Sequence, residues 1–200
     1  MESQLETCRL HLKNMVSSCC LKLIRNILEH AGATPTYIKM GEVEFRYNPL
    51  EHTEAYFVEL LATEGFQSIM SREEVLVEKI KMVTIELVHK AGNVNSIIRN
   101  SDYLVERMGM SYAYLSSIFS KYEHITLEKF IIMHKIEKVK ELLEYGEYTL
   151  SEIAIQLGYS SVQYLSNQFR QITGVSVSEY KKSGSSRTPI ETIGTGTTIQ

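Results

Sequence analysis

The spacing of apolar positions changes character near residue 71. Before it, Cys8, Leu10 and Leu12 alternate with Arg9, His11 and Lys13, the period of a half-buried strand. Leu21, Leu23, Ile24, Ile27 and Leu28 then recur at helical spacing over residues 20–31, until Gly32 and Pro35 break the pattern. Tyr37 to Met40 and Val43 to Tyr47 predict two strands joined at Gly41-Glu42. Ala55, Phe57, Val58, Leu60 and Leu61 predict a helix over 51–64, stopped by Gly65, and Phe66 to Met70 a last strand. The predicted order is β-α-β-β-α-β, the split βαβ arrangement.

Ser71 and Glu74 stand at capping-box spacing. From there to about residue 182 only helical patterns occur. The chain therefore reads as α+β, with a mixed domain over 1–70 and an all-α domain over 71–182. Residues 183–200 are rich in Ser, Thr and Gly and have no periodic apolar face, which predicts a disordered tail.

The all-α part contains a repeat fifty positions apart. Ser111-Tyr-Ala-Tyr-Leu-Ser-Ser-Ile-Phe119 returns as Ser161-Val-Gln-Tyr-Leu-Ser-Asn-Gln-Phe169. Each copy follows a short apolar helix and a glycine: Leu104 to Met108 then Gly109, and Ile153 to Leu157 then Gly158. This is helix, turn, helix, twice. Glycine permits a positive φ at the turn, and serine caps the helix that follows. Leu115 with Phe119, and Leu165 with Phe169, share a buried stripe four residues apart. That leaves Tyr112, Ala113, Ser116, Ser117 and Ser120 facing out in the first copy. In the second copy the outward set is Val162, Gln163, Ser166, Asn167 and Arg170. Helix-turn-helix proteins lay such a face in the DNA major groove.

Between the copies, Thr126 to about Tyr145 reads as one helix with a stripe of Ile132, Ile136, Val139 and Leu143. About 20 residues at ~1.5 Å each span ~30 Å. Successive major-groove faces of one duplex lie about 34–36 Å apart. Thr149 with Glu152 starts the second unit with another capping box.

Composition does not by itself point to nucleic acid. The net charge of −3 falls within residues 1–70, and the rest of the chain is balanced. Phosphate contacts must therefore come from local placement of charge rather than from a basic domain. The three cysteines, Cys8, Cys19 and Cys20, make a poor disulfide framework and suit a reducing compartment. No apolar run is long enough to span a membrane. Met1 to Glu6 lacks the features of a secretory signal. The expected location is the cytoplasm. No phosphate loop, HExxH or Gly-x-Ser-x-Gly is present, so no enzymatic activity and no cofactor are expected. His11, His30, His52, His89, His124 and His134 are scattered, with no i, i+4 pair, and receive no role.

Ile153-Ala-Ile-Gln-Leu-Gly158-Tyr-Ser-Ser-Val-Gln-Tyr164-Leu-Ser-Asn-Gln-Phe169-Arg170, continuing through Gly174 to Tyr180-Lys181, resembles the C-terminal signature of AraC-type (AraC/XylS) bacterial transcription regulators. The resemblance covers roughly residues 75–182. It implies a DNA-binding domain with two helix-turn-helix units on a connecting helix, reading successive major-groove segments. Carried over by position, base reading falls on Tyr112, Ala113, Ser116, Ser117, Val162, Gln163 and Asn167. Phosphate contacts fall on Ser120, Lys121, Ser161 and Arg170. The implied partner is double-stranded DNA, with RNA polymerase as a further candidate partner.

Three positions depart from the family pattern. Asn167 stands where arginine is frequent, Val177 where proline is usual, and the first recognition helix has no basic residue before Lys121. Few arginines mean few bidentate contacts to guanine, whereas Gln163 and Asn167 suit adenine edges. Modest, salt-sensitive affinity, or a need for dimerisation, is the expectation.

Residues 6–70 resemble the heavy-metal-associated domain, which implies a ferredoxin-like fold. That family's Met-x-Cys-x-x-Cys motif aligns with Met15-Val-Ser-Ser-Cys-Cys20, where Ser17 replaces the first cysteine. A hydroxyl is a poor ligand for a soft ion. Cys20 and Cys19 are left as weak metal candidates. The favoured reading is an interaction or sensing module, with a homodimer formed through its sheet as a candidate assembly and soft-metal sensing as the alternative.

Overall fold

A computed structural model describes residues 5–90, 100–183 and 187–194. It divides into two compact units, Met1–Lys79 and Ile80–Gln200.

The first unit contains β1 (Glu6–Leu12), α1 (Ser18–His30), β2 (Thr34–Lys39), β3 (Glu42–Tyr47), α2 (Glu54–Thr63) and β4 (Ser68–Ile69). The predicted element order is the order found. The strands lie in the order β2-β3-β1-β4, each neighbouring pair antiparallel. Cys8 faces Phe45 and Leu10 faces Val43 across β1 and β3, so the alternation of both strands turns one apolar face the same way. That face is covered by Ile24 and Leu28 of α1 and by Phe57 and Leu61 of α2. Phe45 and Phe57 meet with ring centroids 4.9 Å apart.

β2 starts earlier than predicted and contains Pro35, which the sequence pattern treats as a breaker. Proline lacks an N–H, and an edge strand tolerates it. β2 is such an edge, and its register shifts between Pro35 and Tyr37. Thr36 Oγ1 fills the gap by donating to the Glu44 carbonyl at 3.2 Å.

α3 (Arg72–Ile85) begins where the helical regime is predicted, and the two units divide within it. Glu74, assigned by its spacing to a capping box, instead pairs with Lys13 Nζ at 3.1 Å. A π-helical turn, Glu86–Lys90, follows. The second unit continues with α4 (Asn100–Met108), α5 (Tyr112–Glu123), α6 (Leu127–Tyr145), α7 (Leu150–Gln156), α8 (Val162–Thr173) and α9 (Val177–Ser183). Among the described residues no helix is long and apolar enough to cross a membrane.

α6 has 19 residues, capped by Thr126 at its start and ended by Gly146 in the left-handed region. Its length is about 28 Å. The sequence predicts one apolar stripe, but the helix is buried on more than one side. Phe130 packs on Phe119 of α5 at 5.0 Å between ring centroids. Further along, Ile136, Val139, Leu142 and Leu143 join Leu165, Phe169 and Tyr180 in a second cluster. A helix serving two neighbours needs two faces, and a single-stripe reading understates it.

The predicted disordered tail needs correction over residues 187–194. Ile193 is buried, and Arg187 pairs with Glu137 and Glu141 of α6. A low-complexity composition reveals neither contact, because both partners lie about fifty residues upstream.

Candidate nucleic-acid interface

Both predicted turns form as helix, left-handed glycine and serine-capped helix. Gly109 has φ 66° and Gly158 φ 68°, conformations that cost a residue with a Cβ more than they cost glycine. Ser111 Oγ accepts the Tyr114 N–H at 3.3 Å, and Ser161 Oγ accepts the Tyr164 N–H at 3.1 Å. These bonds satisfy donors that the first turn of a helix leaves open. Thr149 and Glu152 form the predicted reciprocal capping box at the start of α7. Ser176 and Glu179 make a second reciprocal pair ahead of α9. The Glu179 carboxyl is held below the ordinary carboxylate range by those Ser176 hydrogen bonds.

The anchors of the two presented helices match position by position. Leu115 and Phe119 of α5, and Leu165 and Phe169 of α8, are all fully buried. Opposite them, Ala113, Ser117 and Lys121 are exposed on α5, and Gln163, Asn167 and Arg170 on α8. Ser116, Ser120, Val162 and Ser166 are half-buried on the flanks, and Ser161 is exposed at its cap. Gln163 Nε2 donates to Asn167 Oδ1 at 3.0 Å, one helical turn along. The two amides thus present a joined donor and acceptor edge.

Two residues were missed. Tyr114 and Tyr164 are each 49% exposed, at matching places in the repeat. The outward sets drawn opposite the buried leucine and phenylalanine stripes leave both tyrosines out. A helical-wheel position about 100° from each buried leucine was the available signal. The Tyr164 hydroxyl also accepts a bond from Gln168 Nε2 at 3.0 Å.

Tyr112, predicted to face out, is half-buried. It lines a cavity of about 400 Å³ together with Lys135 of α6, Tyr159 and Tyr164. Burial, and then Glu128, raise the Tyr112 phenol above its usual range. Lys135 Nζ donates to the Leu157 carbonyl at 2.7 Å, and burial lowers its ammonium to about 8. The same ammonium lies 5.4 Å from the centre of the Tyr159 ring. α6 therefore grips the turn before α8 directly.

The family described as "Helix-turn-helix domain" matches residues 104–183, the stretch that holds both capped helices and α6. Residues 104–183 are thus similar to a helix-turn-helix domain. The "Msm operon regulatory protein" of Streptococcus mutans is 25% identical over 97 residues, covering 48% of this chain and 34% of that protein. The "F1 operon positive regulatory protein" of Yersinia pestis is 29% identical over 104 residues, covering 51% of this chain and 35% of that protein. Among solved structures, the C-terminal domain of AraT, a response regulator from Geobacillus stearothermophilus, is 24% identical. Its TM-score is 0.46, covering 56% of this chain and 88% of that one. The chain spans about a third of the length of the two curated relatives.

Outside the interface, the second unit brings together a histidine pair that local spacing cannot reveal. His134 of α6 is fully buried, and its Nδ1 lies 3.2 Å from Nε2 of His89. The two are 45 positions apart, so a search for i, i+4 histidines passes over them.

In the first unit, Cys19 is exposed and Cys20 half-buried on the first turn of α1. Ser17 Oγ lies 3.8 Å from Cys20 Sγ. Met15 is buried, and its sulfur accepts the Gly41 N–H at 3.1 Å. Burial, aided by Glu54, pushes the Cys8 thiol up to about 12. Among the described residues no group of three or more His, Cys, Asp or Glu is placed to hold a metal.

Proposed function

We propose that this chain is a sequence-specific, DNA-binding transcription regulator of the AraC type, in which α5 and α8 read successive major-groove segments of one duplex. The observation that carries the reading is the matched pair of serine-capped helices. Both turn small, hydroxyl and amide side chains outward, and both are braced on one helix of about 28 Å. Ala113, Ser116, Ser117, Gln163 and Asn167 read bases, with Tyr112 and Val162 at the leading edge. Ser120, Lys121, Ser161 and Arg170 meet phosphates. RNA polymerase is the proposed downstream partner. The regulatory character of the relatives agrees with a non-enzymatic role.

Footprinting on the DNA upstream of the chain's own gene tests this. Two protected major-groove patches about one turn apart support it, and a single patch or none overturns it. On a located site, Gln163→Ala is expected to cost about 1–3 kcal/mol at one base position and to relax sequence preference there. Arg170→Ala is expected to weaken binding to all sequences alike and to lower the salt slope by about 1. Fluorescence anisotropy titrations between 50 and 200 mM salt, on matched and mismatched duplexes, read both (these concentrations are about those over which phosphate contacts are lost). Binding that stays tight at high salt contradicts the reading of few, exposed phosphate contacts.

The strand order β2-β3-β1-β4 supports a ferredoxin-like reading of residues 1–70. With no further strand paired to β2 or β4 among the described residues, we assign this part to self-association or signal reception. The engaged Met15 sulfur and the buried Cys8 thiol do not favour the metal-sensing alternative. Light scattering on the full chain checks self-association, and a monomer at high concentration contradicts it.

A further inference from the structure

Glu137 is a buried carboxylate in the middle of α6, only 3% exposed. A buried charge is tolerated only when it is paired and hydrogen-bonded. One of its partners is local: Lys140 Nζ at 3.0 Å. Two others come from the tail. Arg187 Nε lies 3.4 Å from Glu137 Oε1, and the Thr188 N–H donates to the same oxygen at 2.9 Å. The Arg187 guanidinium also reaches Glu141 Oε2 at 2.8 Å. Glu137 and Glu141 are four apart on one helix, a repulsive spacing for like charges, and Arg187 lies between them.

The tail then runs to Ile193, which is buried, and Gly194. A Cβ on Gly194 would lie 3.0 Å from Ile125 Cδ1 and 3.0 Å from the Phe130 ring, and its φ of 85° disfavours any other residue. Thr188, Thr192, Ile193 and Gly194 form one wall of a cavity of about 380 Å³. Its other walls include Ile125, just past the end of α5, and Ile172 and Thr173, at the end of α8. The tail thus closes a space on which the C-terminal ends of both presented helices converge.

We infer that residues 187–194 are a positioning strap, which clamps α6 through the Arg187–Glu137–Glu141 cluster and, through Gly194, sets the separation at which α5 and α8 meet DNA. Its contribution is to the spacing between the two contacts, not to either contact alone. The inference rests on the two-groove reading proposed above.

The test uses the full chain and a set of duplexes in which the two contacted patches are moved apart by one to five base pairs. The wild type is expected to prefer one spacing at least tenfold. Arg187→Ala and Gly194→Val are expected to flatten that preference to within about threefold while leaving weak binding to unrelated DNA unchanged. Arg187→Lys is expected to restore most of it. A wild type without any spacing preference would sink the two-groove reading itself. A wild-type preference that both variants keep would sink the strap alone.

A second measurement needs no DNA. Spin labels at Ser117 and Asn167, in a background of Cys19→Ser and Cys20→Ser, report the distance between α5 and α8. A narrow distribution that broadens or shifts in Gly194→Val supports the strap. An unchanged distribution, in a variant that melts cooperatively, overturns it.

Discussion

Phe169→Ala is expected to destabilise the helical unit by about 3–5 kcal/mol, the range for removing a buried phenylalanine from a packed core. Phe169 is fully buried and belongs to the cluster that joins α6, α7, α8 and α9. Its ring meets the Tyr180 ring edge-on, with centroids 5.5 Å apart. The cost includes the lost transfer of the ring out of water and the void left between helices that cannot fully collapse. Against a total stability of about 5–15 kcal/mol for an ordinary domain, this is a large share. A urea denaturation midpoint measures it. Gln163→Ala, on the exposed side of the same helix, is the control and should move stability by no more than about 0.5 kcal/mol. A loss below about 1 kcal/mol for Phe169→Ala would show that α8 is not anchored as described.

The second large effect is acid sensitivity. His134 is fully buried beside the half-buried His89, and both imidazoles are held neutral. Burial, with Lys138 next in order, lowers His89 to about 4. Burial, then His89 itself and Lys81, lowers His134 to about 3. Glu141 acts in the opposite sense on His89, and Arg187 acts with Lys138. In an unfolded chain both rings take up protons near pH 6.5. Below that value the unfolded state binds more protons than the folded one, so stability falls as pH falls. The contribution is fully present above about pH 6.5 and is lost progressively toward the folded values. Between about pH 7 and 5.5 most carboxylates stay ionised and Lys135, lowered to about 8, stays mostly charged, so the histidines dominate this window. His134→Leu is expected to flatten the pH dependence there by removing one titrating group, even if its own packing changes the absolute stability. Denaturation midpoints at several pH values check this. An equal slope in the variant and the wild type would exclude the pair as its source.

Much of the fold was legible because its signals are local. The change from period 2 to helical spacing near residue 71 needs only neighbouring residues. So do the glycines at 109 and 158 and the capping serines at 111 and 161. Their hydrogen bonds span three positions and do not depend on what packs above them. The repeat identified the presented helices because Leu115 and Phe119, with Leu165 and Phe169, define an inside and hence an outside. Pro35 misled for the opposite reason: whether proline breaks a strand depends on whether that strand lies at an edge, which is a property of the sheet.

The sequence by itself determined the order of the elements, the two capped helices and the faces they turn outward, since each follows from side-chain period and turn chemistry within a few residues. Tertiary structure alone decided that Tyr112 lines a cavity with Lys135 and Tyr159, that Tyr114 and Tyr164 stand exposed, and that His89 meets His134. It alone brought Arg187 to Glu137. These contacts join residues tens of positions apart, or depend on which of several apolar faces a helix buries. A linear pattern carries no term for either, because burial and pairing are set by the neighbours a segment acquires only after the chain has closed on itself.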